Sequence, residues 1–259
     1  MYSGRLFAFG CSFTNYVWPT WADLLGQEFE SYYNYGRAGA GNLFITVMLG
    51  EALARFNINR DDTVMIMWSN VTREDRYVDK WLNPGNIFTQ NDYSEEFVKK
   101  YITVKGCYIR DLGLIQVTRT LLDNIGCKYH FMSMIDMTSY HQWEYNDDSK
   151  QMKEIFKVYQ NTLDICKPSV FKVLFNYDWY KGKPIWPNER RRKDIHPLPL
   201  EHIEYINKVL PEYKFSDKTI EVATIEHNNI KRDYEHADMY PMNPWWANEF
   251  KNKNLMQRF

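Results

Sequence analysis

The chain has 259 residues, a formal net charge of -1, and 25% charged against 44% hydrophobic residues. That length can bury a large core, and the composition is ordinary for a globular chain. The near-zero charge supplies no general attraction to nucleic acid or to a membrane surface, and no apolar run reaches bilayer-spanning length, so neither is expected as a partner.

The first element is read from Arg5-Leu-Phe-Ala-Phe-Gly-Cys-Ser-Phe-Thr14. Leu6 to Phe9 is a buried strand that stops at Gly10, where the missing Cβ allows a sharp turn. The chain enters this strand without an apolar leader, which predicts a cytoplasmic location. Ser12 then falls just beyond the carboxyl end of the strand, the edge where open parallel α/β sheets bind ligands. A serine at that place serves as a nucleophile or as a helix N-cap.

Next, Pro19, Trp21, Leu24, Leu25 and Gly26 predict a short helix. Tyr32 to Tyr35 is a second strand closed by Gly36. The loop Gly36-Arg-Ala-Gly-Ala-Gly-Asn42 leads into a helix over 43–56. Its glycine spacing is G-x-x-G-x-G after the second strand, which excludes the dinucleotide fingerprint. Asp62 to Ser69 is a continuous apolar run, typical of a strand covered on both faces. Residues 73–106 read as an irregular excursion, with a turn at Asn83-Pro-Gly85 and some helix around 94–101. A helix follows over 107–125, with Gly126 as its stop.

A fourth strand is expected over 127–135, a helix over 149–163, a fifth strand over Val170 to Phe175, and a last helix over 200–210. Alternation of strands and helices predicts an α/β fold. The expected form is a three-layer α/β/α sandwich on a flavodoxin-like, five-stranded parallel sheet. The domain is expected to span 1–212. Residues 213–259 are polar and punctuated by Trp245-Trp246, and read as an extension that wraps the domain or docks a protein partner.

Cys11, Cys107, Cys127 and Cys166 make no CxxC pair and no zinc spacing, so reduced, mostly buried thiols are expected. His202 lies six residues after His196 and forms no i, i+4 metal pair with it. No metal and no organic cofactor is implied. Arg190-Arg-Arg-Lys193 reads as a solvated loop or as an attractor for an anionic substrate. The abundant aromatics, 9 Trp, 19 Tyr and 15 Phe, are read mainly as core, with one or two as sugar-stacking surfaces.

Four predicted strand ends carry polar or glycine groups: Gly10-Cys-Ser12-Phe-Thr14, Asn34-Tyr-Gly-Arg-Ala-Gly39, Trp68-Ser-Asn70 and Asp194-Ile-His196-Pro197. In this order and spacing they resemble the four blocks of the SGNH (GDSL-type) hydrolase family, over about residues 1–210. The Trp-Ser-Asn…Arg73 pattern is similar to the looser family members of phages and marine microbes, so a virion-associated setting is a second expectation.

The resemblance implies a serine esterase. Ser12 would be the nucleophile, His196 the general base and Asp194 the group that orients it. The N–H groups of Ser12 and Gly39 and the amide of Asn70 would bind the oxyanion, with Arg73 as a substrate contact. The last block departs from the family's Asp-x-x-His, so Asp178 or a backbone carbonyl could replace Asp194. A small acyl ester, best an acetyl group on a carbohydrate, is the implied substrate. Two rival readings are a non-catalytic relative acting as a binding or virion-assembly module, and a glycosidase using Asp136 and Asp178.

Overall fold

The computed structural model describes residues 1–88, 92–137, 149–175 and 196–233. Four parallel strands form the central sheet in the order β2-β1-β3-β6. They are β1 (Tyr2–Gly10), β2 (Phe29–Gly36), β3 (Thr63–Trp68) and β6 (Lys128–Ser133). Leu6 to Phe9 of β1 and every residue of β3 are buried, because helices cover both faces. α2 (Asn42–Phe56) packs with α4 (Val104–Ile125). α8 (Pro199–Val209) gathers α1 (Trp21–Gly26), α7 (Val170–Phe175) and α9 (Asp217–Asp233) into a second group. The result is the α/β sandwich expected from the alternating pattern.

The chain passes from β1 to β2 on one side and to β3 on the other. Chain direction therefore reverses around β1, and the crevice at the carboxyl ends of β1 and β3 is the switch point where such sheets bind ligands.

One predicted strand is absent. Val170 to Phe175 is helix α7, and the sheet has four strands among the described residues. A short apolar run does not distinguish strand from buried helix. Here Val170, Phe171 and Phe175 are buried while Lys172 is exposed, a helical rather than a two-residue period. The Ser169 side chain accepts the Lys172 N–H at 3.3 Å and starts the turn. The place of a fifth strand beside β6 is filled by a single bridge between Phe131 and Cys166.

The excursion is more ordered than its composition suggests. β4 (Arg73–Tyr77) and β5 (Trp81–Asn86) form an antiparallel hairpin, followed by α3 (Glu95–Tyr101). The predicted turn at Asn83-Pro-Gly85 lies inside β5, and the chain reverses at 78–80, where the Val78 N–H meets the Lys80 carbonyl. Proline is tolerated there because both strands of a two-stranded ribbon are edges. The helix predicted over 149–163 is broken at Tyr159 into α5 (Ser149–Val158) and α6 (Gln160–Leu163).

Beyond residue 212 the chain forms α9. Thr219, Val222, Ala223, Glu226, His227 and Ile230 are buried at helical spacing. Three of the six are polar, so the stripe escapes a reading based on apolar residues alone. Val222 and Ala223 pack against Leu24 and Ile203, and Ile230 against Trp18 and Leu198. No described helix is long and apolar enough to cross a membrane.

Candidate active site

β1 ends in a tight turn in which the N–H groups of Thr14 and Asn15 both donate to the Cys11 carbonyl, at 2.9 and 3.1 Å. A Cβ on Gly10 would collide with the Thr14 side chain, so the turn requires glycine there. The loop is clamped from β2. Asn34 Nδ2 donates to the Thr14 carbonyl at 2.8 Å, and its Oδ1 accepts the Gly36 N–H at 2.9 Å. Thr20 is the N-cap of α1, so the capping role open to Ser12 is taken by another residue. Ser12 is 6% exposed. Cys11 is fully buried, with its sulfur 3.8 Å from that of Met134.

His196 arrives from the other end of the chain, just before α8. Pro199 is the first residue of that helix, and the Glu201 carboxylate accepts the Leu198 N–H at 2.8 Å. The imidazole Nε2 lies 2.7 Å from Ser12 Oγ, across 184 residues of sequence. The imidazole is surrounded by rings from the Ser12 loop. Tyr16 stacks on it at 3.8 Å and 16°, Phe13 lies at 4.9 Å, and Trp18 meets it edge-on at 6.5 Å. Trp18 Nε1 also donates to the Pro197 carbonyl at 2.8 Å. Asp194 and Asp178 lie outside the described residues, as do Arg190 to Lys193. Asp136 is described, just past the end of β6.

Gly39 sits in the loop between β2 and α2 with φ of 78°, and a Cβ there would run into the Asn83 carbonyl oxygen. Only glycine fits both demands. The loop is held by the hairpin. α2 has Gly41 as its N-cap, which offers no side chain. Asp75 on β4 supplies the missing cap, accepting the N–H groups of Gly41 at 2.8 Å and Phe44 at 2.9 Å. Asn83 Nδ2 donates to the same carboxylate at 2.7 Å. Burial pushes the Asp75 carboxyl above the usual range, against these hydrogen bonds.

Asn70 follows β3. Its Oδ1 accepts both the N–H and the hydroxyl of Thr72 at 3.0 Å, which fixes the amide and leaves Nδ2 as the donating end. Arg73 donates to the Ala40 carbonyl at 3.0 Å and approaches the Met134 sulfur at 3.7 Å. It therefore braces the glycine loop. Beneath these loops Asn42 ties the Ser69 backbone to Asp111. Burial lifts the Asp111 carboxyl to about 6, opposed by its ion pair with Arg110.

Sequence reasoning selected Ser12, Gly39, Asn70 and His196 but missed the groups that hold them. Phe13, Tyr16 and Trp18 follow Ser12 closely in the sequence, but nothing in it directs their rings to His196. The signal for Asp75 was indirect: a helix opening on Gly41 needs a cap from elsewhere. His202 is fully buried with no partner on either ring nitrogen. No group of three or more potential ligands among the described residues could hold a metal ion.

No family model matches the chain, and no curated protein matches it significantly. Solved structures do. A candidate acylhydrolase of Bacteroides fragilis is 13% identical with a TM-score of 0.41, covering 89% of this chain and 86% of its own. Axe2, an acetylxylan esterase of Geobacillus stearothermophilus, is 12% identical with a TM-score of 0.44, covering 83% and 96%. At that level of similarity, function has to be read from the site itself.

Proposed function

We propose that the protein is a serine hydrolase acting on small carboxylic esters, of the SGNH kind. The observation that carries this reading is the 2.7 Å contact between Ser12 Oγ and His196 Nε2. A serine hydroxyl is a weak nucleophile unless a base within hydrogen-bond reach removes its proton. Imidazole suits that work because it accepts and returns a proton near neutral pH.

In this mechanism Ser12 Oγ attacks the ester carbonyl carbon as its proton passes to His196 Nε2. The carbonyl π pair moves to oxygen, giving a tetrahedral oxyanion. The N–H groups of Ser12 and Gly39 and the Asn70 amide donate to that oxygen. Collapse expels the alcohol, which takes the proton from His196 and leaves an acyl-serine. Water, deprotonated by the same imidazole, attacks the acyl carbon, and the second collapse releases the carboxylic acid and restores Ser12. Asp194 is the group assigned to orient the imidazole.

The substrate class we assign is an acetyl group on a carbohydrate. It is supported by the aromatic hairpin beside the Gly39 loop, where Tyr77 is 54% exposed and meets Trp81 edge to face. Such rings stack on sugar faces.

The test is hydrolysis of p-nitrophenyl acetate together with labelling by a fluorophosphonate. Turnover and a single adduct on Ser12, both lost in Ser12→Ala, are expected. A wild-type protein that neither turns over nor takes the label would favour the non-catalytic binding module. Turnover unchanged in Ser12→Ala would remove the nucleophile.

A further inference from the structure

His196 stands ahead of α8, outside any helix or strand, so no backbone register fixes its ring. Something must hold the imidazole with Nε2 on the Ser12 hydroxyl, because a competent pair needs its reacting atoms aligned. The described contacts that do so come from the loop carrying Ser12. Tyr16 lies nearly parallel to the imidazole at 3.8 Å. Trp18 stands edge-on to Tyr16 at 4.6 Å and grips the backbone beside His196 through the Pro197 carbonyl. Phe13 lies tilted against it at 4.9 Å and is itself backed by Phe171 of α7, at 5.8 Å. Behind Trp18, Leu198 and Ile230 complete an apolar cluster that Tyr16 joins.

We propose that Tyr16, backed by Trp18, is a positioning residue for the catalytic base: its ring sets the orientation of His196 and favours the imidazolium formed during each proton transfer. This rests on the reading of Ser12 and His196 as nucleophile and base. An aromatic face attracts a cation lying over it, and the attraction grows where water is excluded. The neutral imidazole gains less, so the contact strengthens as the proton arrives. That is the condition for lowering a barrier rather than only tightening binding. The face of the ring carries the effect, and the Tyr16 hydroxyl is not required. The nucleophile loop would then orient both partners, reducing the demand on the shortened Asp194-Ile-His196 spacing.

The experiment compares wild type, Tyr16→Phe, Tyr16→Leu and Trp18→Phe. Steady-state kinetics on p-nitrophenyl acetate are combined with proton NMR of the His196 ring. In wild type the carbon-bound imidazole protons should lie upfield, shielded by the Tyr16 ring current, and Tyr16→Leu should move them downfield. Tyr16→Leu should lower kcat about 10- to 100-fold with KM within about twofold. Tyr16→Phe should stay within about threefold of wild type in kcat and keep the shielding. Trp18→Phe, which keeps an aromatic ring but loses the bond to Pro197, should lower kcat several-fold.

An active wild type whose Tyr16→Leu variant keeps full kcat would overturn the positioning role alone. Equal losses in Tyr16→Phe and Tyr16→Leu would do the same, by moving the effect to the hydroxyl. Unshielded wild-type imidazole protons would overturn the stack without reference to activity. An inactive wild type with unlabelled Ser12 would instead overturn the hydrolase reading and, with it, the role.

Discussion

The two halves of the site are held in different ways. The Ser12 half is built into the sheet. Its turn continues β1, the Thr14 carbonyl is tied by Asn34, and the Gly39 loop is held by Asp75 through Gly41 and lies close against the Asn83 backbone. Among the described residues, the His196 half is attached from outside, by ring stacking, an indole hydrogen bond and a helix that α9 backs. Hydrogen-bonded backbone gives a fixed donor array, which an oxyanion site needs. A stacked ring keeps orientation while allowing small movements, which would suit the proposed base as it passes a proton between oxygens. The lesson is that one loop, residues 11–18, serves both halves.

The comparison can be broken most severely by removing either reacting group. Ser12→Ala and His196→Ala are each expected to cost roughly 10⁴-fold or more in kcat for p-nitrophenyl acetate. The double variant should be scarcely worse than either, because the pair acts as one unit. Additive losses would show that the two are not partners.

On the sheet-built side, Asn70→Ala should cost about 10²–10³ in kcat with little change in KM. Gly39→Ala should lose a comparable amount and also lose about 1–3 kcal/mol of stability to strain at a positive φ, read as a fall in Tm. Wild-type kcat in both would remove these two loops from the oxyanion site.

On the attached side, Ile230→Ala opens a cavity behind Trp18 and should destabilise by about 2–4 kcal/mol. The measurement is chemical denaturation with kcat followed alongside. An unchanged denaturation midpoint would detach α9 from the site.

The smallest effect concerns His202. Burial, and then the nearby charge of His196, lower its imidazole to about 3, against an unfolded value near 6.5. Below about pH 6.5 the unfolded chain binds a proton that the folded one refuses, so stability falls as pH drops from about 6.5 toward 3. Since neither ring nitrogen has a partner, His202→Leu should gain about 2 kcal/mol over wild type at pH 5 and little at pH 7.5. A pH-independent difference in urea midpoint would contradict this.

Much of the scaffold could be read directly. β1 carries the apolar run Leu6 to Phe9, β3 is apolar along most of its length and α4 stops at Gly126, so local pattern suffices there. Val170 to Phe175 reads as a strand in the sequence because five apolar residues around Lys172 carry no decisive period. The β4–β5 hairpin was missed because its partners are cross-strand neighbours in a polar stretch, and Asn83-Pro-Gly85 has turn chemistry while lying in a strand. α9 was missed because it buries Glu226 and His227 beside Ala223 and Ile230.

The sequence by itself determined the α/β alternation and which residue types follow β1, β2 and β3, since hydrophobic period and residue type are local properties. Tertiary structure alone decided that Ser12 and His196 touch, that Tyr16 covers the imidazole, and that Asp75 caps α2. Those relations depend on strand order and on how α8 packs, and chain distance carries no information about either. A hydroxyl and an imidazole 184 residues apart become one chemical unit only because β1 sets the Ser12 loop at the carboxyl edge of the sheet and the packing of α8 brings His196 to it.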